Sequence, residues 1–278
     1  PLEETHGLYN AYVIPMEGRN RVDVQLVVLS GTYDEDEISG IAHYTEHLAA
    51  LSADTKVLQQ PRQRDLNAFT SKVSTVYTNT GSPDEIDRVM KLTRAVLETP
   101  SLPPSFQQSE IDIVKREVLY KERNSTVRWL NRVALQNLYG SKSGRADNPV
   151  EDLDRMSVDA AMAFHAKHYV PSNAMLIISG NIDQATAQAK VTEYFADTVK
   201  TQQIPDTWLD HHPKEDLRSV VKISTPRVLN DAIAYAKFFE FDEPQDVLAM
   251  QASFFIASDI YNSHINNALY LEGFTAQS

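Results

Sequence analysis

The sequence has 278 residues, 42% hydrophobic and 23% charged, the make-up of a globular protein rather than a disordered or fibrous one. Lysine and arginine number 26 against 38 aspartates and glutamates, a formal charge of -12 that would repel a phosphate backbone and excludes nucleic acid as an expected partner. With no cysteine, disulfides, thiolate metal sites and cysteine nucleophiles are excluded, so any metal has to be held by histidine and carboxylate.

In chain order, Leu8 to Ile14 and Val22 to Ser30 read as a strand pair joined by a polar turn at Glu17-Gly18-Arg19-Asn20. After the acidic loop Asp34-Glu35-Asp36-Glu37, Ser39 is the expected N-cap of a helix through Ile41, Ala42, Leu48 and Leu51. Residues 53 to 65 read as irregular, and Leu66 to Thr80 returns to β-type composition. Pro83-Asp84 starts an amphipathic helix ending near Pro100. A longer helix is expected from Pro103-Pro104 past Leu138, closed by Tyr139-Gly140.

Ser157 to His168 predicts a further helix, Ala174 to Ser179 a buried strand, and Ile182 to Val199 another helix. The mixture argues an α+β fold: a mixed, largely antiparallel sheet packed with helices. Residues 201–214, polar and carrying Pro205, Pro213 and His211-His212, form the expected linker. Beyond it, Val220 to Ile223, Asp231 to Phe239 and Pro244 to Asp259 repeat the strand, strand, acidic loop, helix order of residues 8 to 51. The expected organisation is a domain over 1–200, the linker, and over 215–278 the start of a second, metal-free homologous domain. The longest apolar stretches, Ala174 to Ser179 and Ala252 to Ala257, fall far short of the roughly 20 residues of a membrane span, so none is expected. The start at Pro1, with neither Met nor a signal-type segment, reads as a trimmed or processed product.

The densest chemistry lies in His43-Tyr44-Thr45-Glu46-His47. Imidazoles at i and i+4 sit one turn apart on the same helix face, where both reach one cation, and Glu46 borders that face. Such a set can hold zinc beside a carboxylate able to take a proton from water and deliver it to a leaving amine. A third ligand must come from elsewhere. Glu110 and Glu117 share nearly the same face of the long helix, and Glu117 sits in the apolar stretch Ile113 to Leu119, where a buried carboxylate needs a partner. Glu110 reads equally as a solvated helix-start residue. His165 and His168 lack an acidic neighbour and read as surface or capping residues.

These residues resemble the inverted zinc metallopeptidases of the pitrilysin family, whose H-x-x-E-H order reverses the commoner motif. The resemblance rests on Gly40 to Leu48, on Leu66 to Thr70 with Thr75-Val76-Tyr77, on Glu110 with Val114 to Glu117, and on Phe164 to Gly180. It covers about residues 7 to 200. It implies one zinc per chain held by His43, His47 and Glu117, Glu46 as catalytic base, and Glu110 as a second carboxylate supporting the site. It also implies that Asn67, Ala68, Phe69 and Thr70 form an edge strand binding extended peptide by main-chain pairing. Arg62 to Asp65 stands where the family's glycines are usual, and the short spacing to Glu117 fits missing loop residues near 54–62.

The family's far half supplies an Arg and a Tyr to the substrate carbonyl. Tyr270 stands where that Arg is expected, so the far half is either missing from this chain or contributed by another subunit. The expected function is a zinc metalloendopeptidase that hydrolyses peptides or unfolded segments with zinc-bound water. The alternative is a non-catalytic peptide-binding or assembly subunit with a vestigial zinc site. A second homologous half or subunit is the expected partner. The bacterial periplasm is the expected compartment, ahead of an organelle or the cytoplasm.

Overall fold

A computed structural model describes residues 1–35, 38–59, 66–126, 129–130, 133–134 and 150–198. All of these belong to one compact unit, Pro1–Ala236; the second unit, Lys237–Ser278, lies outside the described residues, as do the expected linker and second copy. The strands are β1 (Asn10–Pro15), β2 (Val22–Val28), β3 (Leu66–Thr70), β4 (Thr75–Gly81) and β5 (Ala174–Gly180). Helices among the described residues include α1 (Ile41–Leu58), α2 (Ile86–Val96), α3 (Pro104–Asn124), α4 (Val158–His168) and α5 (Gln184–Phe195).

The strands make one mixed sheet in the order β1-β5-β2-β4-β3, with β1 parallel to β5 and the other pairs antiparallel. The α+β class is as expected, but the direct pairing of the first two strands is not. β5 lies between them, with Ile177 opposite both Tyr12 of β1 and Gln25 of β2. The physical reason is in β5 itself: Met175, Leu176, Ile177 and Ile178 put apolar side chains on both faces, which suits a strand with a neighbour on each side. Along β2, Val22, Val24, Leu26 and Val28 are fully buried while Asp23, Gln25 and Val27 are half-buried. One face of the sheet is therefore sealed. α2 covers β2 and β4 from that side, burying Ile86, Val89, Met90, Thr93 and Val96 at helical spacing.

α1 touches α2, α3, α4 and β3, so it is buried nearly all round, including Tyr44, Thr45, Glu46, Leu48 and Ala49. It runs on to Leu58, through residues read from sequence as irregular or as bordering a missing loop. Its N-cap is Gly40 rather than Ser39, at φ 89, a left-handed conformation that only glycine takes without strain. The cap function passes to Glu35, whose carboxylate accepts from the Gly40 N–H at 3.0 and 3.1 Å and from the Ala42 N–H at 3.0 Å.

α3 ends at Asn124, where Ser125 takes an extended conformation, so the single helix expected as far as Leu138 is interrupted. Its expected close at Tyr139-Gly140 lies outside the described residues. α4 and α5 are capped by Ser157 and Asp183, which accept from the Ala160 and Thr186 N–H groups. His165 and His168 are not surface residues: they are 3% and 2% exposed, because α4 turns that face onto α1 and the core. The His165 Nε2–H donates to the Val96 carbonyl at 3.0 Å, and burial pushes its imidazole down to about 4, so it is neutral.

Candidate active site

His43, Glu46 and His47 stand on α1, with the two histidine side chains 13% and 12% exposed. Their rings meet edge to face at 4.8 Å, and the two Nε2 atoms approach to 3.3 Å. Glu117 reaches over from α3 and places Oε2 3.6 Å from His43 Nε2. One ligand atom from each of the three residues lies within 4.8 Å of the others.

Zinc with ligand bonds near 2.05 Å in a tetrahedral arrangement would hold its ligand atoms about 3.4 Å apart, close to the 3.3 and 3.6 Å from His43 to its two neighbours, the remaining pair lying within 4.8 Å. Nitrogen and carboxylate donors are also the set that zinc accepts in such sites. The residues present therefore fit the metal.

Glu110 lies one α3 face behind this cluster, 6% exposed, with Oε2 2.8 Å from His47 Nδ1. That bond requires the proton on Nδ1, which leaves the neutral ring's Nε2 lone pair aimed at His43 and Glu117. Of the two sequence readings of Glu110, the solvated one is corrected, because α3 packs that face on α1. Burial alone would push the His47 imidazole down. The Glu110 hydrogen bond and the charges of Glu46, Glu110 and Glu117 outweigh it and hold His47 above the ordinary histidine value. A proton on His47 is one way to offset three converging carboxylates; a divalent cation is the other. Burial, helped by the Glu110 charge, pushes Tyr44 up to about 12, so its hydroxyl stays protonated and donates to the Gln107 carbonyl.

Among the described residues β3 is an edge of the sheet, paired on one side to β4. Its alternation divides the four residues expected to bind peptide. Asn67 and Phe69 are exposed, Phe69 by 56%, whereas Ala68 and Thr70 are half-buried in a strand that packs against α1. The Thr70 hydroxyl donates to Glu46 Oε2 at 2.6 Å.

Beneath Glu46 lie two tyrosines that sequence reasoning did not weigh for the site. Tyr77 and Tyr169 are buried, 2.7 Å apart at their hydroxyls, and both are pushed up by burial with a further contribution from the Glu46 charge. Period-two alternation would have placed Tyr77 on the sealed face; nothing local points Tyr169 at it.

Residues 13–142 match the family model described as insulinase (peptidase family M16), and residues 155–264 match the M16 inactive domain. Among curated proteins, the chain is 28% identical over 173 residues to the chloroplastic stromal processing peptidase of Arabidopsis thaliana, covering 59% of this chain and 14% of that protein. It is 26% identical over 197 residues to the probable zinc protease PqqL of Haemophilus influenzae, covering 64% of this chain and 21% of that one. The chain thus spans only a minor part of these relatives' length.

Among solved structures, a Helicobacter pylori protease superposes with a TM-score of 0.62 at 21% identity, covering 72% of this chain and 50% of that one. The first half of the periplasmic protease PqqL from Escherichia coli gives 0.58 at 18%, covering 72% and 46%. Those two share the fold. Both halves of the match, residues 13–142 and 155–264, point the same way: this chain belongs to the pitrilysin family, the M16 peptidases.

Proposed function

We propose that this chain is the zinc-bearing half of a metalloendopeptidase that cleaves peptides or unfolded polypeptide segments. The observation that carries the reading is the convergence of His43 Nε2, His47 Nε2 and Glu117 Oε2 beside Glu46, at the end of an edge strand. His43, His47 and Glu117 hold one zinc per chain, and Glu110 fixes His47 from behind. Zinc, when bound, supplies Lewis-acid activation of water and of the peptide carbonyl.

Glu46 takes the proton of the attacking water on its carboxylate and returns it to the leaving amine. The edge that β3 presents among the described residues, from Asn67 to Thr70, takes the substrate as an added strand, which draws it out as an extended chain. A second homologous half completes the chamber and contributes to the substrate carbonyl. The periplasmic and chloroplastic settings named for relatives support a periplasmic or organellar location, the periplasm first, and no helix among the described residues is long and apolar enough to cross a membrane.

Glu46→Gln keeps the ligands and removes the base, so zinc stoichiometry stays at the parent's value while cleavage of a quenched peptide falls by at least about 100-fold. Hydrolysis at the parent rate would overturn the assignment of Glu46. The rival reading, a non-catalytic peptide-binding subunit, draws on the inactive-domain match over residues 155–264. It predicts zinc and peptide bound with no hydrolysis, also after mixing with a homologous partner half.

A further inference from the structure

The geometry points to Thr70 as the positioning residue of the general base: its hydroxyl, and not a contact with substrate, sets the orientation of the Glu46 carboxylate. The inference rests on the peptidase reading above. Three observations carry it.

The Thr70 Oγ1 to Glu46 Oε2 distance is 2.6 Å, in the range of a charge-assisted O–H···O⁻ bond and shorter than a neutral one. Glu46 is 6% exposed, so water does not compete freely for that oxygen, and a bond in such surroundings holds its geometry better than one at the surface. The third observation is directional. Alternation along β3 sends Asn67 and Phe69 to the exposed face and turns Thr70 toward α1, so this side chain faces the helix rather than the open face.

Two anchors hold Thr70 itself. Its backbone is in register with Thr75 of β4, and Thr75 Oγ1 donates to the Ser30 carbonyl at 2.9 Å. The following turn is closed by the Ser71 N–H to the Ser74 carbonyl at 2.8 Å. The donor to Glu46 is thereby fixed to the sheet, while Glu46 is fixed to the helix. A glutamate has three side-chain torsions, and a base that wanders loses rate without losing substrate affinity. A single strand therefore both offers its edge to the peptide and sets the base that acts on it.

The test, run with every chain mixed with a homologous partner half, compares the zinc-loaded parent with Thr70→Val, which keeps the shape and removes the hydroxyl, with Thr70→Ser, which restores it, and with Glu46→Gln. Zinc content and far-UV circular dichroism establish that each variant is folded and loaded. The expected result is a fall in kcat of roughly 10- to 100-fold in Thr70→Val with KM within about two-fold, and recovery to within about three-fold of the parent in Thr70→Ser.

A raised KM at parent kcat would make Thr70 a substrate contact, and parent kinetics in Thr70→Val would make it structural only; either overturns the inference. Crystal structures of the parent and Thr70→Val test it without turnover: the Glu46 carboxylate should leave its position against β3, and an unmoved carboxylate overturns the inference whatever the rates. Failure of the underlying reading looks different, because there the zinc-loaded parent and Glu46→Gln, each mixed with the partner half, hydrolyse alike or not at all.

Discussion

Glu110 acts through another residue, and its effect is open to measurement. By accepting from His47 Nδ1 at 2.8 Å it selects the tautomer that presents Nε2 to the metal position, and it raises the basicity of the ring. Glu110→Gln keeps the size and can still accept, but it loses the charge. Its zinc affinity is expected to fall about 10- to 100-fold, read by competition with a chelating dye, with the fold intact. Unchanged affinity would show that Glu110 is only a buried contact between α3 and α1. Glu117 differs in setting: its side chain is 39% exposed against 8% for Glu110, as suits a carboxylate at the opening of a site rather than behind it.

At the scale of elements, the site depends on how α1 is tied to the β3–β4 hairpin. The segment after β2 docks on that hairpin through the Thr32 N–H to the Ser71 carbonyl at 3.0 Å and the Tyr33 N–H to the Lys72 carbonyl at 2.8 Å. Lys72 Nζ also sits 5.7 Å from the centre of the Tyr33 ring. Gly31 makes this approach possible, since a Cβ there would lie 2.4 Å from the Ser71 carbonyl oxygen and 2.7 Å from the Lys72 backbone. Neither neighbour is a flexible side-chain end, so the backbone itself would have to move. Gly31→Ala is expected to cost about 1–3 kcal/mol in unfolding free energy by denaturant titration, and a cost below about 0.5 kcal/mol would contradict the close contact.

For the whole molecule, two buried titratable groups give opposite pH trends in stability. Burial pushes Glu35 from 4.5 up to about 8, against the pull of the Ala42 and Gly40 amides it caps. The folded state then holds a proton that the unfolded state has lost, so this contribution is full below pH 4.5 and is lost as pH rises through about 8. His165, pushed from 6.5 down to about 4, works the other way: its contribution is full above pH 6.5 and is lost as pH falls toward 4. Above pH 6.5 only Glu35 of these two still changes. Glu35→Gln is therefore expected to flatten the decline of unfolding free energy between pH 6.5 and 8; an unaltered slope would remove Glu35 from the account.

Residue chemistry and local periodicity were enough to determine from sequence that His43 and His47 share a helix face bordered by Glu46, that β-type segments flank it, and that the fold is α+β. Each of these depends on neighbours a few positions apart. The pairing of β1 with β5 across the chain, the burial of His165 and His168, and the turn of Thr70 onto Glu46 were decided by tertiary structure. In every such case the partner is remote or lies on another element. Whether a polar group is buried, and beside what, depends on which surfaces meet when the sheet closes against α1. No local spacing in the sequence carries that information.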